Sequence, residues 1–296
     1  MKDIQHSGGT ETVGRLIDTV GRSFDQAELC YGHGTDNPTD EAAALVFHVM
    51  ALDHAGSADI YAREVSSEQR EKVLALMQQR IESRVPLAYM LGEAWFAGLV
   101  FHVDERVLVP RSPIAELIAD RFEPWIDSSC VQAILDVGTG SGCIAVACAV
   151  KFPAATVIAT DISPDALRVA QLNIERHRLS DRVQLVETDL MDGVQGLFDV
   201  IISNPPYVPD KERAELPAEY MHEPALGLFS GADGLDSARR ILQDAPKLLS
   251  AKGILVLEVG AQWQALEQAF PLLPFTWLEF EHGGEGVAVL NAADLR

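Results

Sequence analysis

Residues 135–143 read LDVGTGSGC. An apolar run, AILDV at 133–137, stops at Val137, and glycines then alternate at positions 138, 140 and 142. Gly138 and Gly140 permit a sharp turn with positive φ, and Gly142 lets a helix beginning near Cys143 approach the strand. Strand, glycine turn and helix in that order begin an open α/β sheet. The alternation continues downstream. Apolar runs recur as TVIAT (156–160), VQLVE (183–187), FDVII (198–202) and ILVLEV (254–259), with helical patterns such as SPDALRVAQLNIERH between most of them. Continuous apolar strands interleaved with helices predict a parallel sheet covered on both faces. The chain closes with FTWLEFE (275–281), HGGEG and VAVL (287–290), an expected antiparallel pair at the sheet edge.

In such a sheet ligands gather at the carboxyl ends of the strands. The second strand ends in Asp161, close to the spacing of ~20 residues at which an acid accepts hydrogen bonds from ribose hydroxyls. Asp189-Leu190 follows the third strand, where it suits an adenine ring. Both NAD and S-adenosylmethionine use sites of this kind. The spacing here is GxGxG rather than GxGxxG, and Asp136 stands two residues before the loop. A pyrophosphate at that point meets carboxylate repulsion, whereas a sulfonium with an α-ammonium does not. A glycine turn without a ligand, and an Asp136 that only caps the turn, remain open readings.

The fourth strand runs into Ser203-Asn204-Pro205-Pro206-Tyr207. Two prolines cannot continue a strand, because each lacks an N–H and fixes φ. They hold the Pro205 carbonyl in one direction beside the Asn204 side-chain oxygen. Two fixed acceptors match the two donors of a planar NH₂ group. Tyr207 adds an aromatic wall. The pattern predicts methyl transfer to an amide or exocyclic amine nitrogen, driven by positioning and preorganised polarity.

The first ninety residues read as helices. Val13, Leu16, Ile17, Val20 and Phe24 share one helical face. A second helix starts after Pro38 with Thr39 or Asp40 near its cap. A third carries a capping box at Ser66 and Gln69, followed by Val73, Leu74, Met77 and Ile81. His48 and His54 read as ordinary helix positions, and GSAD (56–59) as a turn. Residues 95–109, WFAGLVFHVDERVLV, read as a β-hairpin turning at Asp104-Glu105. The expected domains are a helical substrate-recognition domain at 1–90, a hairpin linker at 91–112 and a catalytic domain at 113–296.

Apolar residues make up 48% and charged residues 23% of the 296, which places the chain among ordinary globular proteins. A net charge of −21 argues against naked DNA or RNA as a stable partner. It suits a basic protein partner, and it equally suits solubility alone. Cys30, Cys130, Cys143 and Cys148 form no CxxC pair and no zinc spacing, so no metal is expected and all four read as buried reduced thiols of a cytoplasmic protein. There is no signal-peptide pattern, and the densest apolar run, CIAVACAV at 143–150, is far short of a membrane span.

DVGTGSG (136–142), Asp161 and NPPY (204–207) resemble the class I S-adenosylmethionine-dependent methyltransferases that modify planar amino nitrogens. Over a wider span, RVPLAYMLGEAWFAGLVFHVDERVLVPRSPIAELI (84–118) resembles the protein glutamine N5-methyltransferases. VPRSPIAEL and HEPALGLFSGADGLD (222–236) are similar to the PrmB-type branch, which acts on the third large-subunit ribosomal protein. The likeness runs from about residue 66 to the C-terminus and is less distinct before it. It implies a Rossmann-like seven-stranded sheet with an antiparallel edge hairpin, an N-terminal helical domain and a hairpin linker. It implies S-adenosylmethionine as methyl donor, with S-adenosylhomocysteine as product, and a basic ribosomal protein as client. Gly138, Gly140 and Gly142 would line the methionine moiety, Asp161 would hold the ribose, and Asp189 with Leu190 would flank the adenine. Asp136, Thr139, Ile162 and Asn204 complete the expected cofactor-binding set. Asn204, Pro205, Pro206 and Tyr207 would grip the glutamine amide, with Asn204, Pro205 and Tyr207 catalytic. Arg111 and Glu116 are expected to order the linker or an access channel, or to form a plain surface pair. His222 and Glu223 are expected to fix a loop over the substrate. Release factors as clients, adenine N6 methylation and a non-catalytic assembly factor are the competing expectations.

Overall fold

A computed structural model of the chain describes residues 11–53 and 56–295. The chain divides into two compact units between Leu91 and Gly92. The first holds α1 (Val13–Gln26), α2 (Pro38–Met50), α3 (Ser67–Ser83) and α4 (Leu87–Leu91). The five apolar residues of the α1 stripe are all buried, and they pack with Leu45, Val46 and Met50 of α2 and Val73 of α3. The Ser66–Gln69 capping box is present. The cap of α2 is Asn37 instead of Thr39 or Asp40: its side chain accepts from the N–H groups of both. Pro38 accounts for the difference, since proline is suited to the first helical position and leaves the residue before it extended. Arg80, fully buried, donates to Glu41 at 2.7 Å and ties α3 to α2. His48 lies in the last turn of α2, and His54 lies outside the described residues.

The second unit opens with a hairpin of β1 (Glu93–Phe96) and β2 (Leu99–His102), paired antiparallel. It turns on Ala97-Gly98, both with positive φ, and not at Asp104-Glu105. Positive φ at two successive residues matches the right-handed twist of the strands. Asp104 has a different task. Its carboxylate accepts the Arg106 N–H at 3.1 Å and the Arg106 guanidinium at 2.8 and 2.6 Å. That curls the chain through a turn at 105–107, so the expected second strand, RVLV, does not form, and Val107 and Val109 are buried.

There follow α5 (Ile114–Ala119), β3 (Ala133–Val137), α6 (Cys143–Lys151), β4 (Thr156–Asp161), α7 (Pro164–Arg176), β5 (Val183–Glu187) and β6 (Phe198–Ser203). The chain closes with α8 (Ala225–Leu228), α9 (Asp236–Leu248), β7 (Leu249–Glu258), α10 (Trp263–Ala269), β8 (Thr276–Trp277) and β9 (Val287–Asn291). β3 to β9 form one seven-stranded sheet in the order β5-β4-β3-β6-β7-β9-β8. All contacts are parallel except those of β9 with β7 and β8. Alternate residues of β3 face two different cores. Ile134 joins a cluster with α5, α6 and α7, while Leu135 and Val137 join one with α9 and α10. The sheet is therefore covered on both faces, as its continuous apolar strands require.

The edge strand expected at 275–281 shrinks to Thr276–Trp277. Beyond it the N–H groups of Glu281 and His282 turn away and donate to the Glu116 carboxylate at 2.9 and 3.0 Å. Of the four thiols, Cys143 and Cys148 are buried on α6, Cys30 is partly exposed and Cys130 is exposed. Cys130 sits in a turn after Asp127, where its thiol donates to the Asp127 carboxylate at 3.4 Å, so the uniform burial expected of the cysteines does not hold. Among the described residues no helix is long and apolar enough to cross a membrane.

Candidate active site

β3, β4 and β6 end side by side, so the glycine loop, Asp161 and Asn204 converge at one edge of the sheet. The loop glycines all have positive φ: 74° at Gly138, 54° at Gly140 and 79° at Gly142. A Cβ at Gly138 or Gly140 would meet nothing within 4 Å. Those two positions line a cleft of about 230 Å³ together with Asp161, Ile162, Asp189 and Leu190. Gly142 has a separate reason. Its Cβ would stand 3.1 Å from the Ala170 Cβ, so it admits α7 rather than a close approach to β3.

Asp136 works behind the loop. It is 1% exposed, and its Oδ2 accepts from the Thr139 hydroxyl at 2.5 Å and the Ala145 N–H at 3.1 Å. The residue therefore caps the turn and the first turn of α6. Burial pushes its carboxyl up to about 7 against the pull of those two donors. Its Oδ1 is buried with no hydrogen-bond partner. Asp161 is more open. Its Oδ2 accepts the Gly140 N–H at 2.8 Å and its Oδ1 the Ser163 N–H at 2.9 Å, which locks the loop to the β4 end. Burial still raises its carboxyl above the ordinary range. Asn173 of α7, fully buried, fixes the loop from the other side. It donates to the Ser141 carbonyl at 2.8 Å, and it exchanges two hydrogen bonds with the His102 backbone.

At the end of β6 the Ser203 hydroxyl donates to the Val137 carbonyl at 2.7 Å, holding the NPPY turn against the glycine loop. Asn204 and Pro206 lie on the cleft wall. Asn204 also lines a second cavity of about 170 Å³, with Pro205, Tyr207, Tyr220 and Arg111. Asn204, Leu108 and Gly227 are the residues that line both. Tyr207 is held by close backbone: a Cβ at Gly260 would stand 2.8 Å from its ring, and one at Gly234 would stand 2.2 Å from its carbonyl oxygen. Burial and nearby carboxylates raise its phenol well above the usual value.

Arg111 pairs with Glu223, not with Glu116. Its two terminal nitrogens donate to the two Glu223 oxygens at 2.6 and 2.8 Å. Glu223 also accepts the Val109 N–H at 3.0 Å, and the Arg111 guanidinium lies over the Tyr220 ring at 5.4 Å. The neighbouring Ser112 donates to Glu258, at the end of β7. Burial pushes the Glu258 carboxyl up to about 7, although Ser112 and Arg111 both pull it down. Residues 109–112 are thus strapped by two buried carboxylates.

The sequence-predicted residues separate into three groups. Gly138, Gly140, Asp161, Ile162, Asp189, Leu190, Asn204 and Pro206 line the cleft. Asn204, Pro205 and Tyr207 line the second cavity. Asp136, Thr139 and Gly142 line neither and support the loop from behind. Asp189 is not free toward the cleft, because Arg240 donates to its carboxylate at 2.7 Å. Sequence reasoning missed Asn173, Arg240, Ser112 and Glu258. An acid at the end of the fifth apolar run was a visible signal for Glu258; the others carried none.

Comparison with known proteins adds the family. Residues 27–92 match the PrmC N-terminal domain and residues 119–231 the methyltransferase small domain. The match thus begins well before residue 66, where the likeness first becomes distinct in the sequence. The chain is 47% identical over 268 residues to the ribosomal protein uL3 glutamine methyltransferase of Neisseria gonorrhoeae, covering 90% of this chain and 89% of that one. It is also 47% identical to that of Neisseria meningitidis serogroup B, over 90% and 88% of the two chains. The crystal structure of the hMettl16 catalytic domain with the MAT2A 3′UTR hairpin 6 shares the fold at 15% identity, with a TM-score of 0.52 over 76% of this chain and 82% of that one. With its glycine loop and NPPY turn on a seven-stranded mixed sheet, and near-half identity along nine-tenths of its length, the chain belongs to the ribosomal protein uL3 glutamine methyltransferase family.

Proposed function

We propose that the protein methylates the side-chain amide nitrogen, N5, of a glutamine in ribosomal protein uL3, with S-adenosylmethionine as donor. One observation carries the reading: Asn204 is shared by a cleft of cofactor character and a second cavity walled by Tyr207. The cleft fits the cofactor. Space is open at Gly138 and Gly140 where any side chain would intrude, and the Asp161 carboxylate lines the same space. Gly138 and Gly140 would take the methionine portion, Asp161 the ribose, and Ile162 and Leu190 the adenine faces. When bound, S-adenosylmethionine supplies a sulfonium-borne methyl group that a nitrogen lone pair accepts.

The chain's own task is to prepare that nitrogen. The Asn204 side-chain oxygen and the Pro205 carbonyl accept its two hydrogens, which fixes the amide plane so that the nitrogen lone pair, perpendicular to that plane, is aimed at the cleft. These acceptors gain strength as the nitrogen becomes positive, which makes them transition-state contacts. Pro206 keeps the turn from relaxing, and Tyr207 excludes water from one side. The surplus proton leaves to solvent. An acidic enzyme suits a basic ribosomal client through long-range steering, and such a client suits a cytoplasmic location.

The test incubates the protein with methyl-labelled cofactor and large-subunit proteins, followed by mass spectrometry of every labelled species. Label on one glutamine of uL3 is the expected result. Label on a release factor moves the client, and label on RNA overturns the amide assignment.

A further inference from the structure

We propose that the buried Arg111–Glu223 pair is a charge-cancelling specificity element, which keeps an arginine in the chamber wall without net charge so that glutamine is admitted and glutamate is refused. This rests on the amide chemistry proposed above.

Glutamine and glutamate have nearly the same shape, so the fit of the chamber cannot separate them. Charge and donor pattern must do so. The Asn204 side-chain oxygen and the Pro205 carbonyl favour a group that donates twice, and a carboxylate donates nothing. An arginine in the same wall works in the opposite direction. A guanidinium fork binds a carboxylate through two parallel hydrogen bonds, one of the strongest polar contacts available to a side chain. Arg111 lines the chamber beside Asn204, Pro205 and Tyr207.

The fork is already taken. Both oxygens of Glu223 accept from Arg111, and the Glu223 side chain is fully buried. Glu223 cannot swing away cheaply, because the Val109 N–H holds it too. Tyr220 packs against the guanidinium, so Arg111 is held from a second direction.

The experiment uses full-length enzyme with uL3, and uL3 carrying Gln→Glu at the modified position as a competitor. The quantity read is the ratio of the competitor's inhibition constant to the KM of the glutamine client. Thermal unfolding and cofactor affinity report on the fold. The wild type gives a large ratio. Glu223→Gln leaves Arg111 charged and narrows the ratio by about ten- to a hundredfold, the range for a hydrogen bond to a charged group. The double variant Arg111→Gln, Glu223→Gln removes both charges and restores the ratio. An unchanged ratio in folded Glu223→Gln overturns the inference, and so does a double variant as permissive as the single one. A purely structural pair predicts that second outcome. Should Glu223→Gln fail to fold, Arg111→Gln carries the test with the opposite sign: a widened ratio supports the inference, and an unchanged or narrowed one overturns it. If wild-type enzyme fails to methylate the glutamine client, the amide reading itself fails before any variant is compared.

Discussion

The cofactor cleft and the amide chamber share Asn204, but they are assembled in different ways. The cleft is built from backbone turns at neighbouring strand ends. Its fastening bonds reach less far in sequence: Thr139 to Asp136 spans three residues, Gly140 to Asp161 spans 21 and Ser203 to Val137 spans 66. The chamber is built from buried charges brought from far apart. Arg111 to Glu223 spans 112 residues and Ser112 to Glu258 spans 146. Geometry protects the cleft, whereas a balance of ionised and neutral carboxyls protects the chamber. Damage to the first should therefore appear as lost packing or lost affinity. Damage to the second should appear in turnover, selectivity and pH dependence.

Asn204 tests the boundary most sharply, because it serves both sides. Asn204→Ala is expected to lower turnover by about 10²–10³, as for loss of one preorganised polar partner. Cofactor affinity should stay within about 1 kcal/mol, the scale of one neutral hydrogen bond. Single-turnover rates and calorimetry measure the two separately. An equal fall in both would erase the distinction between cleft and chamber.

Glu258 tests the charge balance. Its folded carboxyl titrates at about 7, above its ordinary value of 4.5. Between those values the folded protein binds more protons than the unfolded chain, so this group makes stability fall as pH rises. Its contribution is complete below about 4.5 and lost by passage through about 7. Glu258→Gln removes that slope, and relative to wild type it should gain about 3 kcal/mol across the window. Denaturant melts at a series of pH values measure it. Asp136 has the same sign and a similar window, so the variant retains part of the wild-type slope.

The same contrast explains what the sequence made legible. The strands at 133–137 and 183–187 have the expected bounds, because a continuous apolar run needs no distant partner to be recognised. The glycine loop and NPPY were visible because proline and glycine act on their own backbone. The hairpin turn is expected at Asp104-Glu105 and lies at Ala97-Gly98, because Asp104 also carries a turn signature and spends it on Arg106. Glu223 and Arg111 are legible as individual residues, but their pairing is not. A buried ion pair depends on two segments meeting, and neither segment records the other. Asn37 is a smaller miss of the opposite kind, a local cap hidden by starting the helix after Pro38 instead of at it.

Gly142 probes the cleft's packing alone. Alanine there would have to keep a φ of 79° and place its Cβ 3.1 Å from the Ala170 Cβ and 3.2 Å from its Cα. Left-handed strain and overpacking each cost about 1–2 kcal/mol. Gly142→Ala should lower unfolding free energy by about 2–4 kcal/mol, the two costs together, while the surviving folded enzyme keeps its selectivity for glutamine. A loss of selectivity with intact stability would mean that the loop and the chamber are coupled more tightly than their separate fastenings imply.

The smallest effect concerns the charged pair beside Leu190. Arg240 donates to Asp189 at 2.7 Å and to Asp192 at 3.4 Å, bracketing Leu190, which holds a φ of 54° on the cleft wall. Both side chains of the Arg240–Asp189 pair are substantially exposed, so the pair is worth less than about 1 kcal/mol. If Arg240 only steadies the turn, Arg240→Ala should weaken cofactor binding by about two- to fivefold, and the difference should shrink at high salt. Asp189→Ala should then cost no more, since it breaks the same clamp. If the Asp189 carboxylate instead meets the adenine directly, Arg240 competes with the ligand for it. Removing the arginine would then leave affinity unchanged or improve it, while Asp189→Ala would cost clearly more. Calorimetry on the two variants at low and high salt separates these outcomes, and it decides whether the cleft, like the chamber, relies on a charge that is held in check.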